Sequence, residues 1–398
     1  MKKLACLLLA LCMMLGMVSV NAEGVPASEI KIGMICIGDE NEGYTANHIN
    51  GLRFAMTNLG IDESQVIFKY NIPETEAAYE AAVDLAEQGC DIIFANSFGH
   101  ETYVFLAAEE YPEIEFCHAT GTQAHTAGLA NFHNAFAHIY EGRYLAGVVA
   151  GLKLKEMIDS GKITADKAKM GYVGAFTFAE VISGYTSFYL GAKSIVPEVT
   201  MDVKFTGSWY DEAKEKQAAQ ALIDNGCVLI SQHADSMGAP TACESAGVPN
   251  VSYNGSTAAA CPNTFLVSSR INWVPYFEYM IGQVQKGEAI DTDWAGDLEN
   301  GAVAMTELGT AVAPGTAEKL AEVKAQLIAD EINVFATANF TIHGAKLSTY
   351  FADVDTDPNY TPDTEAIANG VFQESKFRSG PYFDLRIDGI TLLDEAYG

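Results

Sequence analysis

From residue 29 onward, short apolar runs alternate with longer stretches of helical periodicity. "EIKIGMICIG" (29–38) predicts a buried strand. "ANHINGLRFAMTNLG" (46–60) predicts a helix stopped by Gly60, because glycine readily takes the left-handed turn that ends helices. The strand "QVIFKYNI" (65–72), the helix "ETEAAYEAAVDLAEQG" (74–89) and the strand "DIIFA" (91–95) follow, then "ETYVFLAAEEY" (101–111) as helix and "EIEFCHA" (113–119) as strand. The rhythm restarts with the strand "KMGYVGAF" (169–176), a helix over 180–194 and the strand "VTMDVKFTG" (199–207). The helix "DEAKEKQAAQALIDNG" (211–226) and the strand "CVLISQ" (227–232) complete the second series. Alternation at this spacing implies βαβ units and mostly parallel, doubly wound sheets, an α/β fold.

The two series share more than rhythm. With Gly89 set over Gly226, Ala81-Ala82 aligns with Ala218-Ala219, Leu85 with Leu222, Cys90 with Cys227 and Ile93 with Ile230. Two lobes of one ancestry account for the shared frame. A length of 398 residues is also more than one comfortable core. Ligands gather beyond the carboxyl ends of parallel strands, so two facing lobes would line one cleft with those loops. The candidates are Asp39 to Tyr44, Asn96-Ser97-Phe98, Phe176 to Phe178, Gly207 to Tyr210, His233 to Asp235, and Asn254-Gly255-Ser256. "PGTAEKLAEVKAQLIADEI" (314–332) reads as a long amphipathic helix, and the tail beyond it is expected to return across the hinge.

Composition narrows the classes. Hydrophobic residues make up 49% and charged residues 19%, as in a globular chain rather than a disordered one. Lys2 and Lys3 precede "LACLLLALCMMLGMVSV" and a small-residue "VNA", which predicts a cleaved export signal over residues 1–22. Cys6 and Cys12 lack a good lipid-attachment pattern, which favours a freely exported protein and leaves lipid anchoring as the alternative. No later apolar run approaches the roughly 20 residues needed to span a bilayer. The formal net charge is −29, and loss of the two leader lysines takes it to −31. Such a surface repels phosphate backbones and anionic lipid, so nucleic-acid polymers and membrane surfaces are poor partner candidates and a neutral or cationic small ligand fits better, with simple solubility as the plain alternative. Of the remaining cysteines, Cys36, Cys90, Cys117 and Cys227 sit in apolar contexts and read as buried thiols, whereas Cys243 and Cys261 flank one strand and could pair.

The strand-end loops carry aromatics with small polar residues between them, a set that suits a flat heteroaromatic ligand stacked between two rings. Trp209, set directly after Gly207-Ser208, and Tyr44, from the other series, are the candidate walls; the alternative for Trp209 is packing beneath its own helix. One of Phe176 and Phe178 is expected in the core. Asp235 could hold a ring nitrogen or a hydroxyl, or cap the segment starting at Ser236. Asp211 reads as a helix cap. No Walker A, GxGxxG or GxSxG pattern occurs, so phosphate-binding loops and nucleophile elbows find no support and no catalytic residues or cofactors are expected. His118, His125, His133 and His138 cluster in sequence, but their spacing fits no metal site.

These segments resemble the BMP or PnrA-like substrate-binding proteins of bacterial ABC importers. The likeness rests on "KIGMICIGDENEGYTANHINGL", "EGRYLAGVVAG", "KMGYVGAF", "GSWYDEAKEKQAAQALIDNG", "LISQHADS" and "GPYFDLRIDG". It implies a type I periplasmic-binding fold, with two lobes joined by a three-strand hinge near 136–141 and 264–270. It also implies closure on a purine nucleobase or nucleoside, with Tyr44 and Trp209 as the stacking pair. The implied lobes are 23–138 plus about 268–298, and 139–267 plus about 299–398. Tyr44-Thr45 stands where the family commonly has Phe-Asn, its ribose-gripping Asp is replaced within Asn254-Gly255-Ser256, and its lysine looks like Arg270. Those departures favour a free purine-like base, with Trp273 filling the space of the missing ribose. The implied partner is a membrane permease, and the receptor itself is a monomer outside the cytoplasmic membrane. A sugar or other polar solute on the same fold, and a secreted nucleoside-processing enzyme, are the rival expectations.

Overall fold

The computed structural model describes residues 24–354 and 364–394; the export signal expected over 1–22, with Cys6 and Cys12, lies outside them. The first series builds one sheet from β1 (Ile32–Ile35), β2 (Val66–Lys69), β3 (Ile92–Ala95), β4 (Glu115–Ala119) and β5 (Phe132–Ala137). A later strand, β11 (Asp293–Gly296), joins its edge to give the order β11-β5-β4-β3-β1-β2, parallel throughout. The second sheet comprises β6 (Lys169–Gly174), β7 (Thr200–Phe205), β8 (Leu229–Gln232), β9 (Asn250–Tyr253), β10 (Phe265–Ile271), β12 (Val303–Met305) and the strand Ile390–Leu392. Its order is β12-β10-β9-β8-β6-β7 followed by Ile390–Leu392, and only the β10–β12 pair is antiparallel. β1, β3, β5, β8 and β9 are buried along their whole length, as strands covered by helices on both faces must be.

Helix ends follow local chemistry. The helix Gly43–Leu59 ends on Gly60 in the left-handed region, and Thr75 and Asp211 accept backbone N–H bonds at the starts of Glu76–Glu87 and Glu212–Asp224. Asp211 is therefore the cap its position predicts. The amphipathic segment after Pro314 forms the helix Thr316–Ile328.

The chain passes between the sheets three times: from β5 into the helix Ile139–Asp159, from β10 into the helix Val274–Lys286, and from β11 into β12. The second crossing falls after Ile271 rather than within 264–270, because β10 occupies those residues in the second sheet. Main-chain bonds lace the crossings together: His138 N donates to Gly296 O at 2.7 Å and Asn272 N to Ala302 O at 2.6 Å. Glu141 adds a carboxylate that accepts from Leu298 N at 2.9 Å, and burial pushes its pKa up to about 7.

The tail touches both halves. Ile390–Leu392 extends the second sheet beside β7, and Ser183 on the helix Ala179–Lys193 donates to Glu374. Ser379 N, in turn, donates to Asp293 Oδ1 of β11 at 2.7 Å. All six described cysteines are buried thiols; the pairing considered for Cys243 and Cys261 does not form. Among the described residues no helix is long and apolar enough to cross a membrane.

Beneath the second sheet the helices Ile139–Asp159 and Ala179–Lys193 cross on glycines. A Cβ on Gly147 would lie 2.0 Å from Phe188 O, and one on Gly191 would lie 2.1 Å from Tyr144 O. Backbone stands opposite each glycine, so a methyl group must push the helices apart. Gly147→Ala is expected to lower stability by about 2 kcal/mol or more, the upper range for overpacking, read as a fall in the urea midpoint at unchanged slope.

Candidate binding site

Strand ends of the two sheets face each other across a cavity of about 340 Å³, inside the roughly 300–1,000 Å³ range of small-ligand sites. Its first wall begins where β1 runs out. Glu42 caps the helix Gly43–Leu59, accepting from Tyr44 N at 2.5 Å and Thr45 N at 2.9 Å, which sets Tyr44 in the first turn facing the gap. The Tyr44 hydroxyl donates to Asn96 O after β3. Its ring meets His48 edge-on at 4.6 Å, and His48 stacks on Trp273 at 4.3 Å. Burial drives the His48 pKa down to about 3, so the imidazole is neutral there.

The opposite wall is the loop after β7. Thr206 Oγ1 donates to Ser208 O at 2.9 Å, Gly207 takes φ +70°, and Asp211 caps the helix beyond. This holds Trp209 half-buried, with its backbone oxygen accepting from Asp235 N at 2.9 Å. Phe176 packs edge-on against the indole at 5.0 Å, and Phe176 stacks on Phe178 at 5.2 Å. Neither phenylalanine is fully buried, so the expected core member is absent; both brace Trp209 instead. Phe178 also meets Phe98 of the first lobe at 5.2 Å, closing one side of the gap.

Of the residues singled out from sequence, Asp39, Tyr44, Ser97, Phe98, Trp209 and Asp235 line the cavity. Thr45 and Asn96 stand behind the wall: Asn96 Nδ2 donates to Thr45 Oγ1 at 3.3 Å and its Oδ1 accepts from Ile37 N at 2.9 Å, tying two loops together. Asn254, at φ +62°, donates to Asp235 Oδ1 at 3.0 Å, so it positions a wall residue. Asp235 does not cap a helix, since the next one begins at Gly238 after Met237. Arg270 points to Asn47 Oδ1 at 3.4 Å and is not among the lining residues. Trp273 needs a plain correction. It is 1% exposed in the core of the first lobe, where it backs His48, and fills no part of the cavity.

The sequence reading did not single out Glu42 by itself, nor Glu180, Tyr253, Asn71 and Thr120, all of which line the cavity; Tyr210, from the marked run Gly207 to Tyr210, and His233, from the marked run His233 to Asp235, line it too. Glu42 lay within a loop already marked. Glu180 follows the marked Phe178 by two residues, and Tyr253 is the last residue of β9. Charge in the wall is one-sided: Asp39, Glu42, Glu180 and Asp235 are present, and among the described residues no lysine or arginine lines the cavity. Burial, then the charge of Glu42, pushes the Asp235 pKa well above the usual carboxylate range, with Glu215 and Glu180 adding to it. Burial likewise raises that of Glu42. A smaller hollow of about 140 Å³ opens beyond Glu180, with Arg378 of the tail on its wall. The four clustered histidines serve separate contacts; His118 meets Ser97 O at 2.7 Å and His133 meets Glu115 at 2.8 Å.

Two doubly wound lobes, three crossings and a cavity between facing strand ends define the type I periplasmic-binding fold of solute-binding proteins. A crystal structure of an ABC transporter solute-binding protein from Aeropyrum pernix K1 superposes with a TM-score of 0.64 at 16% identity, covering 83% of this chain and 95% of that one. The chain belongs to the family described as ABC transporter substrate-binding protein PnrA-like, which matches residues 30–338. A purine-binding protein of Brucella abortus is 31% identical over 315 residues, covering 77% of this chain and 83% of that protein. A Haloferax volcanii protein named for glucose binding in an ABC transporter is 31% identical over 256 residues. That match takes in 64% of this chain and 61% of the Haloferax protein's length.

The carboxylate cluster has a cost that pH exposes. The folded-state pKa of Asp235 lies above its unfolded value, so protonation is favoured in the folded protein. Stability is then full below the unfolded pKa and declines as pH rises through the folded one. Asp235→Asn, which keeps an oxygen for Asn254, is expected to raise the Tm of ligand-free protein by a few degrees at pH 7.5 and to leave it unchanged at pH 3, by scanning calorimetry.

Proposed function

We propose that this chain is the extracytoplasmic receptor of an ABC importer. It captures a purine-type nucleobase or nucleoside between its lobes and presents it to a permease, acting as a monomer and without catalysis. The observation that carries this reading is the pairing of Tyr44 and Trp209 on opposite walls of one cavity with carboxylates between them. Rings recognise the faces of a heterocycle, and carboxylates accept from its N–H groups. The Brucella relative named as purine-binding points the same way. Closure about the three crossings would bring the walls onto the ligand, and the closed form is what a permease would recognise.

The free base is favoured over the nucleoside on one ground. The run Asn254-Gly255-Ser256, within which the family's ribose-gripping carboxylate is expected, carries no acid to act as a charge-assisted acceptor, and Asn254 is occupied with Asp235. A second reading, a sugar on the same walls, has the Haloferax relative behind it, since an aromatic face with carboxylates also suits a hydroxyl-rich ring.

Isothermal titration of purified, ligand-stripped protein with adenine, guanine, hypoxanthine, xanthine, their nucleosides and glucose separates these readings. A purine is expected to bind, bases more tightly than nucleosides. Tyr44→Ala and Trp209→Ala are each expected to weaken binding by about 5- to 150-fold, the worth of one stacked ring. Heat from glucose alone would reject the purine reading; tighter nucleoside binding would reject the preference for the base.

A further inference from the structure

Beneath the second wall lies a buried guanidinium. Arg143, near the start of the helix Ile139–Asp159, is 0% exposed and makes no ion pair among the described residues. It is held by Ser231 Oγ at 3.2 Å, Gln232 O at 3.1 Å and Ser269 Oγ at 3.4 Å, and it sits 4.9 Å from the centre of the Tyr253 ring. Its shortest bond, 2.6 Å, goes to the Tyr172 hydroxyl. A guanidinium can only donate, so the Tyr172 oxygen accepts there and its own proton is available to a further partner. That partner is His233 Nδ1, at 3.3 Å. With Nδ1 accepting, the proton of a neutral imidazole resides on Nε2, and Nε2 lies 3.3 Å from Glu180 Oε1. The bonds therefore run in one direction, from Arg143 through Tyr172 and His233 to Glu180. Burial and the Arg143 charge both lower the His233 pKa, in keeping with a neutral ring.

Glu180 is the end of this chain and part of the cavity wall. It occupies the first turn of the helix Ala179–Lys193, where the helix dipole favours negative charge. One carboxylate oxygen accepts from His233, and the group presents acceptors, not donors, to a ligand.

We infer that Glu180 is a specificity-determining residue, held as an acceptor by Arg143, Tyr172 and His233, and that it selects solutes bringing an N–H or O–H donor while rejecting anions. With Asp39 in the same wall and no lysine or arginine lining the cavity among the described residues, the class taken is uncharged or cationic and donor-bearing. Applied to the purine reading, on which this step rests, it means purine bases and nucleosides, amino- and oxo-substituted alike because both carry N–H donors, ahead of nucleotides.

Glutamine at position 180 tests this, because its oxygen can still accept from His233 while its amide turns a donor to the cavity. Glu180→Gln is expected to lower the adenosine-to-AMP affinity ratio by about tenfold or more, the size of one charge-assisted hydrogen bond. Tyr172→Phe, which lies outside the cavity and frees His233 to change tautomer, is expected to loosen the same ratio in part. AMP is expected to bind the wild-type protein far more weakly than adenosine. Equal weakening of every ligand by Glu180→Gln, an unchanged ratio, or tight AMP binding would overturn the assignment. Nitrogen-15 NMR of His233 in ligand-free wild-type protein supplies a readout that needs neither a variant nor a purine. A neutral ring protonated on Nε2 is expected, and a proton on Nδ1 overturns the inference. If no purine binds the wild-type protein, the purine reading fails and the tautomer alone decides this one.

Discussion

Strands of a parallel sheet all run out at the same edge, and everything in this molecule depends on two such edges being turned toward each other. The loops leaving β1 and β3 belong to one edge, and those leaving β6, β7, β8 and β9 to the other. Neither lobe encloses a ligand alone. The three crossings hold the edges opposed, and main-chain bonds tie the crossings to one another. The helices that follow can pack tightly beneath the second wall because Gly147 and Gly191 let backbone approach backbone.

Charge in the site works against stability. Four acidic residues share one wall system with no lysine or arginine among the described lining residues, and burial raises the pKa of at least Glu42 and Asp235. Such an arrangement persists only where surrounding structure over-determines it. Here the supports are visible: Asn254 donates to Asp235, the start of a helix donates to Glu42, and His233 Nε2 stands 3.3 Å from Glu180. The buried Arg143 stands one layer behind, reaching the site through Tyr172 and His233 rather than by a direct ion pair.

The tail adds a contact that lies beyond the family match, which ends at residue 338. Glu374 and Ile390–Leu392 engage the second lobe, while Ser379 engages the edge strand of the first. It runs from one lobe to the other and back, beside the smaller hollow that Glu180 shares with Arg378.

Local patterning was enough to locate most of the elements, because parallel strands must be apolar throughout and helices need caps at their ends. Gly60 and Asp211 announced their helices in this way. The loops that line the cavity were legible for the same reason: in alternating β and α segments they can only follow strands. Within those loops the sequence could not say which side chain turns inward. Asn96 and Thr45 turn toward each other, Trp273 falls into the core behind His48, and Asp235 meets an asparagine from another strand instead of capping its own helix. Nor could it foresee that Arg143 and Glu180, far apart along the chain, would be joined through Tyr172 and His233. By itself, then, the sequence determined the alternation, the two lobes and the edge at which a site must lie, since these follow from periodicity and strand direction. Tertiary structure alone decided which polar groups meet there, because hydrogen-bond partners are chosen by distance and angle across strands that are neighbours only after folding.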